Sequence, residues 1–246
     1  MKTEDPKKFQ KNLSEFKSQM DNYEGEKYLT TFAPNNFTEF QFSDLRLDFI
    51  YAYQDTLAFD IFNRIVSRDS IKEFLDVGSK LSSMLFFSRM AKCFYLEPKN
   101  PELLNPATKP WLNIELIRGE GQRLEFSDGK LKLITCLHAL EHFGLGRYGD
   151  NIDYQGDLKA LVEFNRVLEP GGTLLISVPY SYSTPEIRFH GERVYSKDII
   201  YAMLKDAGFK VEGNYFICPE LSPVPYIKEI PTNTKTSAIF LIAVKE

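Results

Sequence analysis

Histidine, cysteine and tryptophan are scarce in this chain: three, three and one among 246 residues. Cys93, Cys136 and Cys218 lie far apart and form no CxxC pair, which excludes a disulfide framework or a cysteine metal knuckle. No apolar run approaches the roughly 18 residues a membrane span requires, and MKTEDPKKFQKNLSEFKSQ at the start has no apolar core of a secretion signal. Positive charge is not in excess either: 30 Lys and Arg face 34 Asp and Glu, a formal net charge of −4. The global basic field of a nucleic-acid binder is therefore missing. The expectation is a cytoplasmic protein acting on a small molecule, with no nucleic acid and no membrane span.

Apolar material is plentiful, at 43% hydrophobic and 14% aromatic residues, enough to fill the core of one domain. Phe9, Leu13, Phe16 and Met20 recur at helical spacing, so residues 1–27 hold a helix packed on the body or a lid. Residues 28–45 read as an extended loop, and Asp48 to Val66 as a helix leading into a strand at Phe74–Val77. Strand and helix patterns then alternate. The strands are KCFYLEP, WLNIELIRG, KLKLITCL, GGTLLISVP, FKVEGNYF and TSAIFLIAVKE; the helices are LSSMLFFSRMA, GDLKALVEFNRVL (stopped by Pro170 and Gly171) and SKDIIYAMLKDAGF. Such alternation predicts an α/β fold: a Rossmann-like, doubly wound, mostly parallel seven-stranded sheet with an antiparallel C-terminal strand. The expected division is an extension at 1–47 and one domain at 48–246.

FLDVGSKLSSM puts Asp76 and Gly78 at the carboxyl end of the first parallel strand, where open α/β sheets bind ligands. A dinucleotide loop needs G-x-G-x-x-G so that backbone can approach a pyrophosphate; only Gly78 is present, which disfavours NAD and FAD. A cofactor without phosphates asks less of the loop. Glu97, 21 residues after Asp76, ends the next strand as a candidate ligand of a ribose diol, or as a plain exposed acid. GEGQRLEF then follows a strand, and NRVLEPGGTLLISVP turns a helix into a buried strand.

With these segments in order, the sequence resembles the class I S-adenosylmethionine-dependent methyltransferases from about Phe74 to the C-terminus. The resemblance implies S-adenosylmethionine as cofactor, S-adenosylhomocysteine as product and no metal. It places Asp76, Gly78, Ser79, Glu97, Glu120, Gly121, Gln122 and Leu137 around the cofactor, with Glu97 on the ribose and Glu120–Gly121 near the adenine. Lys80 and Ser82 stand where the family pattern has further glycines. Lys80 either points at the cofactor's carboxylate or faces solvent. LHALEHFGLGRYGD, with GDLKAL, RVLEPGG and RFHGERVYS, is similar to a narrower branch that suggests capsule or surface-polysaccharide biosynthesis, with a sugar or phosphate-containing acceptor. The departures in the glycine loop also leave room for a non-catalytic protein that keeps the fold to bind a ligand or partner.

HALEH, His138 to His142, fits the H-x-x-E-H pattern of a class of zinc peptidases. A zinc site would need a sustained helix and a third ligand. Here Gly144 and Gly146 leave space for one helical turn at most, and the only other histidine is His190. At the end of the fourth strand the same residues face the cleft instead. Methyl transfer to a hydroxyl is helped by a base, and His138, Glu141 and His142 are the candidates. Acceptor-lining candidates are Arg147 and Tyr148 in the glycine-rich loop, Tyr180 at the end of the fifth strand, then Arg188, His190 and Arg193, which suit an anionic group. Arg147 could equally form an ion pair with Asp150 or Asp153, and the basic segment could be solvated. Tyr53 and Tyr51 either cover the site or pack a helix.

Overall fold

The computed structural model describes residues 5–34, 45–96, 113–218, 226–227 and 237–246. Asp5 caps the first helix, α1 (Pro6–Asn22), by accepting a hydrogen bond from the Lys7 amide, and Pro6 takes the first turn, where its missing N–H costs nothing. One face of α1 buries Phe9 and Phe16, with Leu13 and Met20 packed beside them. A short strand β1 (Phe32–Pro34) precedes α2 (Leu45–Asp69), whose Leu57, Ala58, Ile61, Phe62 and Ile65 form one buried stripe.

The alternating part follows: β2 (Glu73–Val77), α3 (Leu81–Phe87), β3 (Lys92–Leu96), β4 (Ile114–Ile117) and β5 (Leu131–Leu137). Next come α4 (Gly156–Val167), β6 (Leu168–Tyr180), the hairpin β7 (Glu186–Phe189) and β8 (Glu192–Val194), and α5 (Lys197–Asp206). The chain ends in β9 (Phe209–Ile217), β10 (Tyr226–Ile227) and β11 (Ser237–Lys245). The main sheet has the order β10-β9-β11-β6-β5-β2-β3-β4. From β6 to β4 neighbouring strands are parallel, and β11 runs antiparallel to both β6 and β9. The seven principal strands are those expected; β10 adds two residues at the edge.

Both faces of the sheet are covered, which is why its central strands read as unbroken apolar runs. Ile134 and Cys136 of β5 face a cluster shared with α1, α4 and α5, while Leu133 and Leu137 face one shared with α2 and α3. Two features depart from expectation. Strand β6 begins at Leu168, directly after α4, and absorbs Pro170–Gly172 into a register shift against β5. The segment read as an extended loop contributes β1, which joins β7 and β8 in a separate three-stranded sheet. Strands of three or four residues have too few positions to show a period of two. No helix among the described residues is long and apolar enough to cross a membrane.

Candidate functional site

The sheet reverses its winding between β2 and β5, and such a switch point opens a crevice at the carboxyl ends of the strands. The loop leaving β2 is tightly tied. The Asp76 carboxylate is fully buried and accepts from the Ser79 amide (3.1 Å), Ser79 Oγ (2.6 Å) and Thr135 Oγ1 (2.5 Å). Burial pushes the Asp76 carboxyl up to about 7, against the pull of the Ser79 and Thr135 hydrogen bonds. Ser79 Oγ in turn accepts from the Leu137 amide at 2.9 Å, stitching this loop to the end of β5. Asp76, Ser79 and Leu137 therefore tie the ends of β2 and β5 together through contacts with one another. Gly78 has φ of +73°, and a Cβ there would stand 3.1 Å from the Ala139 methyl, so backbone is all the turn can carry.

HALEH forms a single 3-10 turn, Leu140–His142, after β5. His138 itself takes φ of +50°, a left-handed conformation that costs a non-glycine residue on the order of 1 kcal/mol or more and tends to mark functional sites. Its amide donates to both the carbonyl and the hydroxyl of Ser177 on β6, and Ser177 Oγ donates to the Gln54 side chain of α2. His138 Nδ1 lies 3.2 Å from Glu141 Oε1. His142 Nδ1 lies 2.6 Å from the Gly191 carbonyl, with its Nε2 3.7 Å from the same Glu141 oxygen.

These partners assign the protons. A carbonyl only accepts, so His142 carries its proton on Nδ1. An ionised Glu141 only accepts, so His138 does the same. Burial by itself would raise the Glu141 carboxyl, but the His142 and His138 imidazoles outweigh it and hold it below its ordinary value. Burial pushes the His142 imidazole down, despite Glu141 beside it. What is left is His138 Nε2, a lone pair buried without a hydrogen-bond partner, and Glu141 Oε2 in the same condition. No group of three metal-binding side chains occurs among the described residues.

The glycine-rich loop closes on itself. Asp150 accepts from the amides of Gly144, Gly146 and Tyr148, and Asp153 pairs with Lys159 at 2.6 Å. Gly144 has φ of +76° and stands so close to the Asp153 carbonyl that no side chain fits. Arg147 donates to the Gly191 carbonyl at 3.1 Å, and the Tyr148 ring meets the His142 ring edge-on at 5.3 Å. The β7–β8 turn, His190–Gly191, thus belongs to the HALEH neighbourhood, and Gly191 is a contact the sequence offered no sign of.

Arg188 and Arg193, expected along an acceptor wall, both have partners within the fold. Arg188 is held by Glu186 (2.8 Å) and Glu192 (2.9 Å) on its own hairpin. Arg193 is 1% exposed and donates to the carbonyls of Phe143 (2.6 Å) and Tyr154 (2.9 Å), with Asp157 3.4 Å away. Gly121 lies beneath Phe143 and Val77, and Glu120 and Gln122 are half-buried beside it. Tyr180 is buried against Phe216, facing the core, and Tyr53 packs against the α2–α3 cluster. It is Tyr51 that reaches the site: its ring meets His138 at 5.2 Å, and Lys80 Nζ lies 3.3 Å from its centre. Glu97 lies outside the described residues.

Residues 120–217 match the family described as Caenorhabditis protein of unknown function, DUF268. The match takes in the HALEH turn, the glycine loop and the β7–β8 hairpin, and spans less than half of the chain. No curated protein matches. Among solved structures, the 1,6-didemethyltoxoflavin-N1-methyltransferase of Burkholderia thailandensis, with 1,6-didemethyltoxoflavin and S-adenosylhomocysteine bound, aligns with a TM-score of 0.55 at 16% identity, covering 82% of this chain and 87% of that one. The [4+2]-cyclase SpnF aligns at 0.57 and 13% identity, over 97% of this chain and 94% of that one. The chain has the methyltransferase Rossmann-like fold. One of these two structures is named for a cyclisation, so the methyltransferase fold by itself does not name the reaction.

Proposed function

We propose that this protein is an S-adenosylmethionine-dependent methyltransferase whose acceptor is the hydroxyl of a small polar molecule. The observation that carries the proposal is His138: a strained residue at the switch point, with Nδ1 on Glu141 and Nε2 buried and unpartnered. Ser83 Oγ and Glu141 Oε2, buried without partners on segments that leave β2 and β5, support a bound polar ligand such as this cofactor. The Gly78 turn, Glu97 for the ribose diol, and Glu120, Gly121 and Gln122 would hold it. When bound, the cofactor supplies an electrophilic methyl group on a sulfonium.

The chain's own part is positioning and proton transfer. His138 Nε2 takes the proton of the acceptor hydroxyl, while Glu141 holds Nδ1–H and offsets the charge of the imidazolium. His142 stands beside this pair, anchored through Nδ1–H to the Gly191 carbonyl. A sugar hydroxyl suits the site better than a phosphate, because Arg188 and Arg193 are committed within the fold. The similarity of LHALEHFGLGRYGD to a polysaccharide-associated branch supports the same acceptor class.

Calorimetry with S-adenosylhomocysteine is the direct test; the expected result is one site per chain, weakened in Glu97→Ala with the fold intact. Absence of binding would sink the proposal and favour a non-catalytic binding role, the reading that Lys80 and Ser82 in place of glycine support. A second expectation concerns Glu141→Gln, which should slow labelled methyl transfer to sugar acceptors by about 10²–10⁴-fold. S-adenosylhomocysteine affinity should stay within a few-fold.

A further inference from the structure

Tyr51 on α2 stands between a cation and the proposed base. Lys80 Nζ lies 3.3 Å from the centre of its ring, and the His138 ring meets the same tyrosine edge-on at 5.2 Å with 67° between the planes. The contact follows from the sequence of the cofactor loop. Lys80 sits two residues after Gly78, immediately before α3, with extended backbone (φ −60°, ψ 128°) and no side-chain cap on the helix. Its side chain extends back over α2 to the tyrosine. An aromatic face attracts a cation by its quadrupole. The phenol stays un-ionised, since burial and the charge of Glu141 push it well above its ordinary value.

Resting on the methyltransferase reading above, we infer that Lys80 and Tyr51 form the charge-selecting element of the cofactor site. The chain's own ammonium occupies the aromatic face next to His138 and sets the site against a sulfonium and in favour of the neutral thioether. Methyl transfer to an acceptor at His138 Nε2 brings the sulfonium close to this same ring, so the two cations compete for one electron-rich surface. Between unit charges several ångströms apart in a partly solvated cleft, like-charge repulsion changes affinity on the order of tenfold. Loss of the methyl group removes the repulsion.

Paired calorimetric titrations of the full chain with S-adenosylmethionine and S-adenosylhomocysteine provide the test. The wild type should prefer S-adenosylhomocysteine by about tenfold or more, and rising ionic strength should narrow the gap. Lys80→Met should bring S-adenosylmethionine affinity up by about tenfold and leave S-adenosylhomocysteine within about twofold. Lys80→Arg should restore the gap, and Tyr51→Phe, which keeps the ring face, should preserve it. A thermal melt of each variant verifies the fold; Lys80 is exposed, so its replacement is tolerated. If both ligands change in parallel in Lys80→Met, the selection inference is overturned while the cofactor site stands. If neither ligand binds the wild type, both the inference and the functional reading fail.

Discussion

His138 and Asp76 show how single residues in this protein hold conformations or charges that the surrounding structure imposes. His138 keeps a left-handed backbone because its amide is held by Ser177 and its ring by Glu141 and Tyr51. Asp76 keeps a buried carboxyl, pushed up to about 7. Its linkage to stability has a definite sign. Between about pH 4 and pH 7 the unfolded chain has released this proton and the folded chain retains it, so the contribution is full below the unfolded value and is lost as pH rises through about 7. The loss amounts to roughly 4 kcal/mol at most. His142, pushed down by burial, acts in the opposite sense, because the unfolded chain binds its proton first as pH falls. Subtracting the urea-unfolding pH profile of Asp76→Asn from that of the wild type isolates the Asp76 slope. Identical profiles would show that the carboxyl titrates as in the unfolded chain. The Asp76 type and place were legible in FLDVGS; its partners Thr135 and Ser79 were not, because hydrogen bonds across neighbouring strands leave no mark on spacing.

The β7–β8 hairpin is the element whose role changed most between sequence and structure. RFHGERV reads as a basic segment open to an anion. In the fold, Arg193 is a buried fastener, Arg188 pairs with the glutamates of its own hairpin, and the Gly191 carbonyl anchors His142 and Arg147. Arg193 joins the hairpin to the HALEH loop through Phe143 and Tyr154 and to α4 through Asp157, which also accepts from Tyr195 Oη at 2.9 Å. Arg193→Met should therefore destabilise the protein by about 3 to 5 kcal/mol, since it leaves Asp157 buried without its cation. Adding Asp157→Asn should recover part of that loss. A double variant no more stable than Arg193→Met, measured by urea unfolding, would show that the backbone contacts dominate. Pattern could not reveal this, because arginines on short strands read alike whether they face solvent or a carbonyl.

At the scale of the whole molecule, α1 is part of the body. Phe16 is fully buried among Phe32, Tyr154 and Phe189, and Gln19 bonds to the backbone of Ile152 and Tyr154. Phe16→Ala should cost about 3 to 5 kcal/mol in one cooperative transition. An early, separate unfolding step of α1 by hydrogen exchange would instead mark it as a mobile cover. The seven principal strands, the two covered faces and the strand-end position of HALEH were all readable in the chain. They follow from local periodicity: 3.6 for helices, apolar runs for doubly buried strands, and turn residues between. The sequence by itself determined the principal helices and strands and put polar residues in the loops after β2 and β5. Only the tertiary structure decided which partners those residues meet: that Asp76 faces inward, that Lys80 rests on Tyr51, that Arg193 is a fastener, and that His138 Nε2 is buried without a hydrogen-bond partner. Such assignments depend on which donor meets which acceptor across distant segments, and packing settles those meetings after the local pattern has been satisfied.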